Sequence, residues 1–218
     1  MVPTLKFGRR ETDWLLIGIA ASCAALAWVF VKIGAEVTQG TLTGVDVSIR
    51  GFFVAHRSGA ATAFFTAVSA LGSSSVLLVL AALAGWKVTE RSKTAGLLIV
   101  LCGIVSSEFV DVIKAGMAVQ RPPSIDQSSR SFSFPSGHVS GAAAIATLLS
   151  FIAWRRRRYV LIVVPVSVAL VVLMALSRIY LDQHWMSDTV GGTLIGLLLG
   201  LSFCALYEFQ RHHVRQQP

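Results

Sequence analysis

Long apolar runs occur along the whole chain of 218 residues and constrain its fold more than any other feature. An α-helix rises about 1.5 Å per residue, so roughly 20 residues are needed to cross the ~30 Å hydrocarbon core of a bilayer. Six runs have about that length, and they cover approximately residues 14–33, 69–88, 94–115, 138–154, 159–176 and 185–207. The sequence therefore predicts an all-α fold, a polytopic membrane bundle of six transmembrane helices that forms one domain over residues 1–218.

The composition agrees with a membrane protein and argues against a soluble enzyme. Hydrophobic residues make up 54% of the chain and charged residues 14%, whereas about 25% of the residues in a soluble domain are charged. The three cysteines, Cys23, Cys102 and Cys204, lie inside apolar runs, which favours buried thiols over a disulfide or a metal site. The first run is longer than the roughly 7–15 residues of a signal-peptide core, so we expect it to be retained as a span.

Two segments are less regular than the others. Gly72 and the serines that follow it interrupt the second run, which favours a short interfacial helix followed by a span that starts near Ser69. A further short helix at the membrane interface is expected within Val45–Val54.

Glycines recur at every fourth position of the sixth run. They are Gly192, Gly196 and Gly200. This spacing predicts a smooth helix face that packs against a neighbouring helix, and it carries no information about chemistry.

The positions of lysine and arginine predict which ends of the spans face the cytoplasm. The chain has 19 Lys and Arg residues against 11 Asp and Glu residues, an excess that in a membrane protein reflects cytoplasmic loops rather than a nucleic-acid partner. With the N-terminus inside, 12 of the 19 fall on cytoplasmic segments. These are Lys6, Arg9, Arg10, Lys87, Arg91, Lys93, Arg155, Arg156, Arg157, Arg158, Arg211 and Arg215. We therefore expect an integral protein of the plasma (inner) membrane with both termini cytoplasmic.

Three cations at the opposite membrane face do not fit that bias. Lys114 ends the third span, Arg121 follows it, and Arg178 lies at the outer end of the fifth span. A basic residue costs about 2.5–3.5 kcal/mol at the centre of a bilayer and less near the interface. One explanation is snorkelling, or pairing with Glu108 and Asp111 on the same helical face as Lys114. The other is a site that binds an anion.

A helix start with free backbone N–H groups is predicted where the fourth span begins. Pro135 and Ser136 are residue types that favour a helix start, and Gly137 lets a ligand approach the backbone closely. Such an N-terminus binds anions, because its N–H groups are unpaired and its dipole end is positive. His138 falls in the first turn, and a capped helix with an interfacial histidine is the alternative interpretation.

A histidine and an aspartate stand together at the start of the sixth span. His184 and Asp188 are four residues apart, so on a helix they lie on the same face. The carboxylate can accept a hydrogen bond from one ring nitrogen and leave the other free to attack an electrophile. A polar helix start at the interface is the alternative.

Taken together, these segments resemble the complete signature of the type-2 phosphatidic acid phosphatase superfamily, which includes membrane lipid phosphatases and soluble vanadium haloperoxidases. Eleven residues at fixed internal spacings carry the resemblance, and all lie at the outer ends of spans three to six in the orientation inferred from charge. The matching segments are Lys114-x6-Arg121-Pro122, Pro135-Ser136-Gly137-His138 and Ser177-Arg178-x5-His184-x3-Asp188.

The resemblance implies a reaction and a role for each residue. His184 attacks phosphorus and forms a phosphohistidine, Asp188 orients its ring, and His138 protonates the leaving oxygen and then activates water. The implied phosphate-binding residues are Lys114, Arg121, Ser136, Gly137 and Arg178. Because these cations take the place of a metal ion, no metal and no other cofactor is expected.

The resemblance also implies a substrate class, a lipid phosphate monoester or pyrophosphate that is hydrolysed at the extracytoplasmic face of the bilayer. Candidates are undecaprenyl pyrophosphate, phosphatidylglycerophosphate, phosphatidic acid and lipid A phosphate. Two departures bear on the substrate: Val119 replaces an arginine that many relatives carry, and the connection from Pro123 to Phe132 is short and rich in serine. A phosphotransferase that uses the same phosphohistidine is one alternative. A transporter, suggested by Glu108 and Asp111, is another, and the apolar runs argue against a soluble haloperoxidase.

Overall fold

The computed structural model describes residues 9–88, 92–123 and 131–214, and within these ranges it contains eight α-helices and no strand. The helices are α1 (Arg9–Gln39), α2 (Thr43–Ala55), α3 (Gly59–Leu71), α4 (Ser74–Val88), α5 (Lys93–Met117), α6 (Gly137–Arg155), α7 (Val160–Tyr180) and α8 (Met186–Val214). Three cations used to predict the orientation, Lys6, Arg91 and Arg215, lie outside the described residues, as do residues 124–130 of the serine-rich connection.

Five of the helices are long and apolar enough to cross a membrane, namely α1, α5, α6, α7 and α8. The pair α3 and α4 passes the same test as one unit, with a bend of 69° between its two halves. Large apolar side chains cover the outside of the bundle, as Leu161 (92% exposed) and Val112 (71% exposed) illustrate. Such a surface is stable against lipid chains and not against water. The predicted all-α membrane bundle is confirmed, and the protein is an integral membrane protein with five spans, or six if the bent pair is one.

The bend between α3 and α4 falls at Gly72, and α4 begins at Ser74 and not near Ser69 as the sequence predicts. Ser69 instead belongs to α3, where it is buried and its hydroxyl accepts a hydrogen bond of 2.5 Å from Nη1 of Arg178 in α7. A Cβ at Gly72 would lie only 2.2 Å from Cε of Met174, also in α7. Contacts with α7 therefore set the position of the bend.

Helices α6 and α8 pack along the glycine face predicted for the sixth span. A Cβ at Gly196 would lie 2.4 Å from the backbone oxygen of Ser140 in α6. In the same way, a Cβ at Gly192 would lie 2.6 Å from the backbone oxygen of Ser136, directly before α6, and one at Gly200 would lie 2.8 Å from that of Ala144 in α6. The prediction of a smooth packing face is confirmed, because the backbones approach too closely for any larger residue.

Helix α1 runs antiparallel to α8. Phe30, near the end of α1, stacks on Phe134 with 5.6 Å between ring centroids, and Phe134 covers Gly191 at the beginning of α8. About two helical turns from this contact along both helices, Sγ of Cys23 donates to the backbone oxygen of Leu198 at 3.8 Å. The three cysteines are free thiols; Cys102 and Cys204 are buried as predicted, whereas Cys23 is half-buried. The beginning of α1 and the end of α8 therefore lie at the same end of the bundle.

A buried ion pair joins α6 and α8 at that end. Nε of Arg155 donates to Oε2 of Glu208 at 2.8 Å, and Nη2 donates to Oε1 at 2.5 Å. The two side chains are only 1% and 4% exposed. This bidentate pair complements the glycine contacts and holds the two helices together far from the motif residues.

Candidate active site

Four helix ends meet at the other end of the bundle. Helices α5 and α7 end there and carry Lys114 and Arg178 in their last turns. Helices α6 and α8 begin there, with Gly137 and Asp188 in their first turns. Cations are stable at helix C-termini, and helix N-termini present free N–H groups and a positive dipole end. The end of the bundle is therefore prepared for a negatively charged ligand.

His184 and Asp188 form a tightly held pair. His184 lies in the turn between α7 and α8, and its Nδ1 is 3.2 Å from Oδ2 of Asp188. The same oxygen accepts hydrogen bonds from the backbone N–H of Trp185, at 2.8 Å, and from the hydroxyl of Ser133. His184 is 3% exposed and Asp188 is fully buried. Three donors thus converge on one carboxylate oxygen and fix the orientation of the imidazole ring.

The other ring nitrogen of His184 faces the cations. Nε2 lies 3.4 Å from Nη1 of Arg121. Because a guanidinium only donates, Nε2 is the acceptor in this contact and the proton of the neutral ring is on Nδ1. Burial, together with the charges of Arg178, Arg121 and Lys114, keeps the pKa of His184 well below its usual 6.5. The ring is therefore neutral at pH 7, and the lone pair of Nε2 points towards the cations.

The two arginines of the site are held by neutral groups. Nε of Arg121 donates to the backbone oxygen of Ser131 and Nη1 to that of Gln183, both at 2.8 Å, and burial lowers the pKa of Arg121 from its usual value. Arg178 donates to the Ser69 hydroxyl. Within the described ranges, neither arginine nor Lys114 has a carboxylate oxygen within 4.0 Å. The described residues therefore contain no contact ion pair of these cations with Glu108 or Asp111, which was one of the alternative explanations.

The start of α6 has a serine that does not cap it. Ser136 occupies the N-cap position, but its hydroxyl makes no capping hydrogen bond, and its backbone N–H donates to the backbone oxygen of Asp188 at 2.9 Å. Gly137 faces α5, and a Cβ there would be in ordinary contact with Cγ1 of Val110 at 3.6 Å and Nζ of Lys114 at 3.9 Å. His138 follows, half-buried and within electrostatic range of all three cations. The first turn of α6 thus brings a hydroxyl, free N–H groups and an imidazole to the cationic cluster.

Buried polar atoms without partners indicate where a ligand fits. Oγ of Ser136 and Nε of Arg178 are buried donors with no hydrogen-bond partner among the residues that the structure describes. Leaving such a group unpaired costs about 1–3 kcal/mol, which a ligand with several acceptor oxygens removes. Phosphate supplies both the oxygens and the negative charge. The described part of the chain contains no group of three or more His, Cys, Asp or Glu side chains arranged to hold a metal ion.

The structure brings all eight residues predicted for the site to this end of the bundle. They are Lys114, Arg121, Ser136, Gly137, His138, Arg178, His184 and Asp188. Glu108 and Asp111 lie on α5 and are exposed, and Asp111 lines a cavity together with Lys114 and His138, whereas Glu108 does not.

Sequence reasoning missed several residues that hold the site in place. Ser133 holds Asp188, and Ser69 holds Arg178. Ser133 stands three residues before Ser136, so its closeness to a motif was a usable signal, whereas nothing in the sequence around Ser69 points to a site.

Helix α2 supports the turn that carries His184. Oδ1 of Asp46 accepts from the backbone N–H of Ser187 at 2.9 Å, and Oδ2 accepts from its hydroxyl at 2.6 Å. One helical turn further, Nε of Arg50 donates to Oδ1 of Asp182 at 2.7 Å. Asp182 and Ser187 flank His184, so α2 fixes both ends of its turn.

Comparisons with known proteins agree with this arrangement. Residues 94–212 match the family model described as PAP2 superfamily. The chain is 29% identical over 178 residues to phosphatidylglycerophosphatase B of Bacillus subtilis (strain 168), an alignment that covers 78% of this chain and 87% of that protein. It is 34% identical over 85 residues to YbjG of Escherichia coli (strain K12), which is provisionally named an undecaprenyl-diphosphatase, over 39% of this chain and 40% of that protein. The crystal structure of a transmembrane PAP2 type phosphatidylglycerolphosphate phosphatase from Bacillus subtilis superposes with a TM-score of 0.77 at 25% identity, over 90% of this chain and 99% of that one.

Proposed function

Because this chain belongs to the PAP2 superfamily, we propose that it is a membrane lipid phosphatase that releases phosphate from a lipid phosphate monoester or pyrophosphate through a phosphohistidine on His184. The observation that carries this proposal is the neutral Nε2 of His184, which faces three cations that have no carboxylate partner in the described residues. A nucleophile and a positively charged cradle in one place are what phosphoryl transfer requires.

In the first step Nε2 of His184 attacks phosphorus, and the bond from phosphorus to the leaving oxygen breaks. Asp188 accepts the Nδ1–H hydrogen bond and stabilises the positive charge that the ring acquires. His138 donates a proton to the leaving oxygen, so that the lipid product leaves as an alcohol or as a lipid monophosphate.

In the second step water hydrolyses the phosphohistidine. His138, now neutral, accepts a proton from the water molecule as its oxygen attacks phosphorus, and the bond from phosphorus to Nε2 of His184 breaks. Inorganic phosphate leaves, and both imidazoles return to their starting protonation states.

Charge stabilisation supplies most of the rate enhancement in such a reaction. We assign Lys114, Arg121 and Arg178 to the non-bridging phosphate oxygens, together with the Ser136 hydroxyl and the Gly137 N–H. These fixed cations take the place that Mg²⁺ has in other phosphotransferases, so the proposed reaction is metal-independent. The unpaired Nε of Arg178 and the uncapped hydroxyl of Ser136 support these assignments.

The location of the site supports the proposed class of substrate, a phosphate carried on a lipid. A pocket at the ends of membrane spans accepts a phosphate headgroup while the tail remains in the bilayer, and the named relatives act on lipid-borne phosphates. The described beginning of α1, the end of α8 and the Arg155–Arg158 run lie away from the pocket. Because basic residues favour the cytoplasmic side, this position of the basic segments supports an extracytoplasmic active site in the plasma (inner) membrane. We assign residues 1–218 to a single catalytic domain.

Phosphate release from purified full-length protein tests the proposal. Vesicles that contain phosphatidylglycerophosphate, phosphatidic acid or undecaprenyl pyrophosphate are supplied in turn, and we expect release from at least one of them with EDTA present. His184→Ala and Asp188→Asn should lower the rate by about a thousandfold or more while the variants still fold. Retained activity in His184→Ala, or an absolute need for Mg²⁺, contradicts the mechanism. Transfer of phosphate to an added lipid acceptor without free phosphate identifies a phosphotransferase instead.

A further inference from the structure

A cavity of about 180 Å³ lies between α4, α5 and α6 and shares Lys114 and Gly137 with the phosphate-binding residues. Its polar lining consists of Lys114 and His138 at the site and of Ser107 and Asp111 deeper along α5. Three glycines also line it: Gly72 in the turn between α3 and α4, Gly103 on α5 and Gly141 on α6.

The position of this cavity identifies the part of the substrate that enters it. Lys114, Gly137 and His138 line it, but His184 and Asp188 do not. In an in-line displacement the leaving oxygen lies on the side of phosphorus opposite to the nucleophile. A cavity next to the proposed acid His138 and away from the nucleophile His184 is therefore on the leaving-group side.

The chemistry of the lining favours one kind of leaving group. Among the described residues that line the cavity, Lys114 is the one lysine or arginine, and it also borders the phosphate site. The carboxylate of Asp111 and the hydroxyl of Ser107 are acceptors for a hydroxyl group of the leaving group. A second phosphate in this place would meet the negative charge of Asp111, and the described lining holds no lysine or arginine besides Lys114 to offset it.

We propose that this cavity receives the leaving group and that Asp111 makes the enzyme select lipid phosphomonoesters with a hydroxyl-bearing, glycerol-like group next to the scissile bond over lipid diphosphates. The inference rests on the proposed function of the site and names its substrate class. Asp111 acts on selectivity, and the bond-breaking steps do not require it.

The test compares two substrates in the same vesicles, phosphatidylglycerophosphate and undecaprenyl pyrophosphate. For wild type, Asp111→Asn and Asp111→Ser, kcat/KM is measured for both by phosphate release. Removing the negative charge should raise the ratio of diphosphate to monoester kcat/KM by about tenfold, the effect of one like charge at an intermediate dielectric constant. Glu108→Gln is the matched control, because Glu108 is an exposed carboxylate one turn away on α5 that does not line the cavity. Its ratio should equal that of wild type.

The outcomes separate this inference from the proposed function. If both Asp111 variants keep the wild-type ratio, or if both substrates change by the same factor, the selectivity role is wrong even though His184→Ala is inactive. The selectivity role is also contradicted if Glu108→Gln changes the ratio of the two kcat/KM values as much as Asp111→Asn does. Any negative charge on α5 would then have the same effect. If instead His184→Ala hydrolyses both substrates like wild type, the proposed function itself fails.

Discussion

Replacing Gly196 with alanine should destabilise the protein by forcing α6 and α8 apart. The added Cβ would lie 2.4 Å from the backbone oxygen of Ser140, 2.6 Å from Cβ of Ala143 and 3.1 Å from the backbone nitrogen of Ala144. None of these atoms belongs to a flexible side chain, so the helices must separate by about 1 Å to restore ordinary contact distances. Overpacking of this kind costs about 1–3 kcal/mol, and we expect a value near 3 kcal/mol because backbone atoms are involved.

Gly96 provides a matched control in another span. A Cβ at Gly96 has no atom within 4 Å, so Gly96→Ala should be neutral or stabilising by up to about 1 kcal/mol from helix propensity. Thermal unfolding in detergent measures both variants. For a chain of this size 1 kcal/mol corresponds to about 2–4 °C, so Gly196→Ala should lower the midpoint by about 6–12 °C. The packing argument is refuted if Gly196→Ala unfolds at the same temperature as Gly96→Ala.

Three further predictions concern the site and the far end of the bundle. Ser133→Ala removes one hydrogen bond to the Asp188 carboxylate, and such a bond is worth about 1.5–3 kcal/mol. In steady-state assays kcat should therefore fall by about 10- to 100-fold with KM nearly unchanged. An unchanged kcat would contradict the role of Ser133. Because the pKa of His184 is depressed in the folded protein, the unfolded chain binds more protons below pH 6.5, so the stability that the neutral ring contributes is complete above pH 6.5 and is lost as the pH falls below it. Wild type should therefore lose about 1 kcal/mol more than His184→Gln between pH 6.5 and 5.5 in denaturation experiments, and equal losses would contradict the depressed pKa. Glu208→Gln leaves the buried guanidinium of Arg155 without its carboxylate and should cost about 3 kcal/mol of stability without changing kcat. Denaturation measures the loss of stability, and phosphate release measures kcat. A variant as stable as wild type would show that the pair contributes little.

The membrane fold and the site motifs were accessible from the sequence because local features encode them. A span is recognised by its length and hydropathy, which do not depend on its neighbours. The spacing of His184 and Asp188 puts them on one helix face, and glycine repeats such as Gly192, Gly196 and Gly200 encode close packing wherever the partner helix lies. The motif segments meet because successive spans alternate in direction.

What sequence reasoning missed depends on contacts between distant segments. The bend at Gly72 follows from packing on α7, and α7 continues past the predicted end at residue 176 to Tyr180. It does so because the charge of Arg178, which suggests a span end, is accommodated by Ser69 from α3. The support of the His184 turn by Asp46 joins residues 141 positions apart. No local pattern predicts a single polar residue that finds its partner only in the folded bundle.

The most direct test of the central claim is to trap the phosphorylated enzyme. Purified protein is mixed with a lipid phosphate labelled with ³²P on the scissile phosphorus, quenched in alkali within milliseconds and analysed by peptide mass spectrometry. The account predicts label on His184 that is stable to alkali and labile to acid, that forms before free phosphate appears, and that is absent from His184→Ala. Label on another residue, or full hydrolysis by His184→Ala with no labelled protein at any time, would contradict it.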